Sequence, residues 1–121
     1  MVEKRRYHRV QFSAPVVFAH LDMVYGGRLE NLSLNGALVS FDDGIVVPQG
    51  DAGILVIGSD GADDQIRIGI EVVHSHFTMI GMRFVSMDRE AQSRLYSLLE
   101  RVSSEPERLK EEFRLVEAQR R

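Results

Sequence analysis

The chain has 121 residues, 44% hydrophobic and 27% charged, with a net charge of −3. This is about one soluble globular domain, and it excludes a disordered chain, a collagen and a coiled-coil rod. No apolar run approaches the ~18–20 residues of a membrane-spanning helix, and none opens the chain as a secretory signal would, so a cytoplasmic protein is expected. Cysteine is absent, which excludes disulfides, thiol catalysis and Cys-ligated metals.

The predicted elements begin after a basic head. Lys4, Arg5, Arg6 and Arg9 against Glu3 give residues 1–9 a local charge of +3. Phe12, Ala14, Val16 and Phe18 then alternate along a first strand. Asp22 to Gly27, ending in Gly26-Gly27, reads as a turn. The run from Arg28 to Ser33 follows, and Asn35-Gly36 between two apolar runs predicts a hairpin into Ala37–Phe41. Asp42-Asp43-Gly44 and Pro48–Asp51 bound a loop, Ala52–Ile57 is a strand, and Gly58–Asp64 is turn chemistry. Residues 42–64 hold six aspartates and no basic residue. A basic head on an acidic body points to a small anionic ligand rather than a long polyanion.

Ile66, Ile68, Ile70 and Val72 give the clearest period-2 strand, and Ile80, Met82 and Phe84 face one way along a sixth. Six short strands separated by turns predict a closed barrel or a small sandwich. The period then becomes helical, with Ala91, Leu95, Leu98, Leu99 and Val102 on one face and Asp88 as N-cap. Ser103–Pro106 interrupts this helix. Ser104 with Glu107 fits a capping box for a second helix, whose stripe is Leu109, Phe113 and Val116. That stripe could fold back on the barrel or pair with another chain as a homodimer.

Two constellations could carry chemistry. Arg5 and Arg9 lie four residues apart just before the first strand. Guanidinium groups offer paired planar donors that match phosphate oxygens or the O6/N7 edge of guanine. A solvated basic terminus is the competing explanation. Asn31 and Ser33 could offer an amide and a hydroxyl on one face, with Gly36 allowing a positive φ or a close backbone approach. The competing explanation is a plain Asn-Gly hairpin in which Ser33 satisfies backbone groups.

Taken in order, Arg5-x-x-x-Arg9 and Asn31-x-Ser33-x-x-Gly36 resemble the RxxxR and [D/N]xSxxG signature of PilZ domains, and Gly81-Met82-Arg83-Phe84 resembles that family's stretch near the last strand. The resemblance covers residues 4 to about 102. It implies a mainly β fold, a six-stranded antiparallel β-barrel followed by one or two C-terminal helices. It implies a flexible ligand-binding segment over 1–10, a barrel over 11–86 and a helical extension over 87–121. The implied ligand is cyclic di-GMP, with no other cofactor. Arg5 and Arg9 would meet phosphate and guanine edges, Asn31 and Ser33 would meet guanine, and Gly36 would keep the turn clear. Lys4 and Arg6 are additional cations, and the four basic side chains favour two stacked ligands per protomer by offsetting phosphate repulsion. The implied role is an adaptor that rearranges on binding and meets a protein effector.

Other readings are weaker. His74-x-His76 lacks an evident third metal ligand, and the aspartate-rich region lacks EF-hand spacing. No nucleophile elbow, P-loop or zinc-protease motif is present, so an enzyme is not expected. A PilZ-like interaction module without ligand binding would commonly lack the motif residues. A single-stranded nucleic-acid binder would want exposed aromatics on a basic face, whereas aromatics are 7% here and the body is acidic.

Overall fold

Strand order is set by which alternating faces can be buried together. In the computed structural model, which describes residues 9–58 and 64–119, β1 (Val10–His20), β2 (Met23–Leu32), β3 (Gly36–Ser40), β4 (Ala52–Ile57), β5 (Ile66–His76) and β6 (Met79–Ser86) are followed by α1 (Arg89–Val102) and α2 (Pro106–Gln119). The strands close a barrel in the order β1-β2-β3-β6-β5-β4, every neighbour antiparallel. Closure leaves no free strand edge for a stray chain to extend. The six-stranded barrel and the two helices are those expected from the pattern of the sequence.

The inward positions are the predicted ones. Val16 and Phe18 of β1, Ile66, Ile68, Ile70 and Val72 of β5, and Ile80, Met82 and Phe84 of β6 are buried in one core with Leu29, Leu32, Val39 and Leu55. Phe18, Tyr25 and Phe41 contact one another through their rings toward the end that bears the β1–β2 hairpin.

One turn lies elsewhere than expected. Gly26-Gly27 is inside β2, and the chain reverses at Leu21-Asp22. Gly27 is required by a neighbour and not by a turn: a Cβ there would stand 2.6 Å from the Ser40 carbonyl oxygen on β3.

Asp88 caps α1 as expected, its Oδ1 accepting from the Ala91 N–H at 2.7 Å. Glu90 in the first turn and Arg101 in the last suit the helix dipole. Ala91, Leu95 and Leu99 are buried where α1 lies over β5 and β1. The second helix opens one residue later than the Ser104 capping box implies. Pro106 takes the first helical position, where its missing N–H is no loss. The Glu105 carbonyl accepts from Leu109 N–H, and the Ser103 hydroxyl accepts from Glu105 N–H.

The stripe of α2 folds back within the chain. Leu109 and Val116 are buried in the common core, and the Phe113 ring lies 4.2 Å from that of Tyr96 on α1. Glu112 is buried beside them and accepts from Arg108 Nε at 3.1 Å. A homodimer through α2 would therefore have to use Leu115, which is half exposed, rather than the expected stripe.

The topology gives the barrel two distinct ends. One carries the start of β1 and the β2–β3 turn. The other carries the β1–β2 and β5–β6 hairpin tips and the loop over 41–51. Among the described residues, no helix is long and apolar enough to cross a membrane.

Candidate ligand-binding site

The turn after β2 is built by Ser33. Its N–H donates to the Gly36 carbonyl at 2.9 Å, and its hydroxyl donates to Asn35 Oδ1 at 2.9 Å. The Asn35 N–H donates back to Ser33 Oγ at 3.3 Å, so the hydroxyl works inside the turn in both directions. Ser33 is 2% exposed. The Asn35 carbonyl then accepts from Phe84 N–H at 2.8 Å, pinning the turn to β6. This is the local side-chain-to-backbone bonding that serine and asparagine favour at turns.

Gly36 is needed for the second of the two reasons given by its residue type. It stands opposite Arg83 on β6, and a Cβ on it would sit 2.6 Å from the Met82 carbonyl oxygen. Its φ is not positive. The close approach is to the barrel's own backbone.

Asn31 is placed differently from Ser33. It is half-buried and lines an open depression of about 520 Å³ on the barrel wall with Gln11, Ser13, Glu30, Leu38 and Met79. Ser33 is not part of that lining. The amide and the hydroxyl are thus neighbours in the chain with separate surroundings, one facing the depression and one holding the turn.

The β1–β2 register sets Arg9, the last residue of the basic head, near this wall. Val10 pairs with Leu32 and Gln11 with Asn31. Arg9, exposed just before β1, therefore stands on the outside of the barrel near the Ser33 turn. Lys4, Arg5 and Arg6 lie outside the described residues. Both strands are irregular here: β1 shifts register between Gln11 and Ala14, and β2 between Leu29 and Asn31. Such bulges re-aim side chains and recur beside binding sites.

Three wall residues have no motif to announce them. Gln11 and Ser13 line the Asn31 depression, and Ser13 also lines an adjoining one with Arg28 and Ser40. Their only signal in the sequence is alternation: they are outward positions flanking the motif. Glu30 brings a carboxylate to the same wall, where it accepts from the Ser40 hydroxyl. Among the described residues no group of three potential metal ligands comes together. His74 stands at a bulge of β5, and the His76 ring meets Phe77 edge-on at 4.7 Å.

A family model of the PilZ domain matches residues 3–101. The chain belongs to the PilZ family. Both motifs fall inside that match. Solved PilZ structures share the architecture. The PilZ domain of YcgR from Escherichia coli, solved with c-di-GMP, has 14% identity and a TM-score of 0.68 over 85% of this chain and 94% of that one. The PilZ domain of CeSA from a cellulose-synthesising bacterium has 17% identity and a TM-score of 0.61 over 75% and 93%. MotI/DgrA, the inhibitor of motility of Bacillus subtilis, has 18% identity and a TM-score of 0.68 over 83% of this chain and 51% of that protein. This PilZ chain thus spans about half the length of MotI. At these identities the likeness is one of fold. No curated protein matches the chain.

Proposed function

We propose that this PilZ domain is a receptor for cyclic di-GMP that acts by binding, not by catalysis, and passes its state to a protein effector. The observation that supports the reading is the pairing of Val10 with Leu32 and of Gln11 with Asn31, which sets Arg9, the residue just before β1, near the Asn31 wall. The E. coli YcgR PilZ domain solved with c-di-GMP supports the choice of ligand.

Arg5 and Arg9 hold phosphate oxygens and the O6/N7 edge of guanine, because a planar fork meets either in two parallel hydrogen bonds. Asn31 reads a guanine edge with its amide. Gln11, Ser13 and Arg28 add polar contacts along the same wall. Ser33 serves the ligand through the turn it builds, and Gly36 by letting β3 approach β6. Lys4 and Arg6 supply further positive charge, enough to favour two stacked ligands per chain. The 1–10 segment, the barrel over 11–86 and the helices over 87–121 act as one ligand-responsive unit.

Thermal unfolding tests this. A ligand that binds only the folded chain stabilises it by about 2.7 kcal/mol at a hundred times its dissociation constant. Cyclic di-GMP should raise the melting temperature, while GMP and a single-stranded oligonucleotide should leave it unchanged. No shift with cyclic di-GMP would favour a PilZ interaction module without ligand, and a shift with the oligonucleotide would favour a nucleic-acid binder.

A further inference from the structure

The barrel end away from Asn31 carries features that ligand binding does not use. Both hairpins there turn on a large apolar residue in the left-handed region, Leu21 at φ 56° and Phe77 at φ 53°. Tight hairpins with positive φ ordinarily take Gly, Asn or Asp, because other side chains crowd their own backbone there. The core gains nothing in exchange: Leu21 is 86% exposed and Phe77 78%. Strained, solvent-facing apolar residues that the fold does not need are a mark of a functional surface.

Phe77 is also one wall of a depression. The loop over 41–51 crosses the β5–β6 hairpin, with Ile45 N–H donating to the Phe77 carbonyl at 3.3 Å. The resulting hollow, about 570 Å³, has buried Ile45 and Val47 in its lining, and Phe77 and the 93% exposed Val46 on its rim. The charge around it is mainly negative, although exposed Arg28 shares an adjoining depression with Asp42. Residues 20–26, 41–52 and 72–80 contain Asp22, Asp42, Asp43 and Asp51 and no lysine or arginine. Asp51 is bonded to His20, and the other three are exposed.

We propose that this end of the barrel docks a basic amphipathic segment of a partner protein. Apolar side chains of the segment cover Phe77 and Val46, and its lysines or arginines face Asp42 and Asp43. The acidic surround disfavours nucleic acid and anionic lipid, and complements a basic peptide. The inference is independent of the ligand reading and is tested without any nucleotide.

The probes are a labelled amphipathic helical peptide of leucine and lysine, and its leucine–glutamate counterpart. Phe77→Gly suits the left-handed turn, so with Val46→Ser it keeps the fold and should not lower the melting temperature. The lysine peptide should bind the parent chain in fluorescence anisotropy and weaken with salt, and its amide shifts should cluster at 42–47 and 74–78. The double variant should bind it at least about tenfold more weakly, as expected for an aromatic anchor. Equal binding of the two peptides, shifts located elsewhere, or unchanged binding by the variant would overturn the proposal. So would self-association of the unmixed parent that the variant abolishes, since the occupant would then be a second copy of this chain.

Discussion

Val10 stands directly opposite Leu32 in the β1–β2 ladder. This single pairing brings Arg9, the end of the first motif that lies among the described residues, beside the second motif. It fixes where the arginine segment meets the barrel, next to the turn that Ser33 closes and the wall that Asn31 lines. The residues around that junction should respond differently to substitution if cyclic di-GMP binds there.

Asn31→Ala and Ser33→Ala should separate. Asn31 faces the open depression, so its loss should leave the melting temperature nearly unchanged and weaken cyclic di-GMP by ~1–3 kcal/mol, about five- to 150-fold. Ser33 is buried in its turn, so its loss should reduce stability by about 1 kcal/mol and weaken ligand through the loosened turn. Urea melts paired with calorimetric titrations distinguish the two. An Asn31→Ala chain that loses stability but keeps its affinity would remove Asn31 from the site.

Gly36→Ala should destabilise the barrel itself. The added methyl meets the Met82 carbonyl at 2.6 Å, and a backbone oxygen in a closed ladder has little room to retreat. The expected loss is about 1–3 kcal/mol, the range of overpacked cores. A denaturation midpoint equal to the parent's would show that β3 and β6 are less tightly apposed.

What could be read from the sequence follows the range of each interaction. Asp88 and the Ala91/Leu95/Leu99 face were legible because a cap and a helical stripe are local. So was the inward face of β5, which repeats every second residue. Gly26-Gly27 has the local signature of a turn, whereas Gly27 answers to Ser40, a contact made only once β2 and β3 pair. The true turn at Leu21 is not legible in the sequence, because an exposed leucine at positive φ carries no turn signature. At the site, Arg5-x-x-x-Arg9 and Asn31-x-Ser33-x-x-Gly36 were visible as motifs. The division of labour between Asn31 and Ser33 was not, since only the folded turn turns one side chain inward.

Glu30 gives a test with the opposite sign. Its carboxylate lines the same depression as Asn31, and a doubly anionic ligand there would feel its repulsion. Glu30→Gln keeps a group able to bond Ser40 while removing the charge. Affinity for cyclic di-GMP should rise about two- to fivefold, the scale of a ~0.5–1 kcal/mol surface charge interaction. The gain should fade in high salt. Weaker binding in the variant would mean that Glu30 contacts the ligand as an acceptor.

The helical pair makes a prediction at alkaline pH. The Tyr96 phenol is held above its ordinary value of 10.0, first by burial and then by the nearby Glu100 and Glu107 carboxylates. The unfolded chain therefore loses this proton at lower pH than the folded one. Its contribution to stability is complete below pH 10 and declines as pH rises above 10 through the folded value. Chemical denaturation of the parent should weaken more steeply over that window than that of Tyr96→Phe, which lacks the proton. Parallel profiles would mean that Tyr96 ionises as freely in the folded chain as in the unfolded one.

The most direct test of the central claim is a calorimetric titration of the full chain with cyclic di-GMP, repeated on Arg9→Ala. The account predicts heat with cyclic di-GMP and little with GMP, a stoichiometry near two, and affinity at least about 30-fold weaker in the variant, as for a charged partner worth ~2–5 kcal/mol. A stoichiometry near one would reject the stacked pair alone. A flat titration of the parent at tens of micromolar ligand, or an Arg9→Ala chain that binds as the parent does, would contradict a cyclic di-GMP site at the junction of the arginine segment and the Asn31 wall.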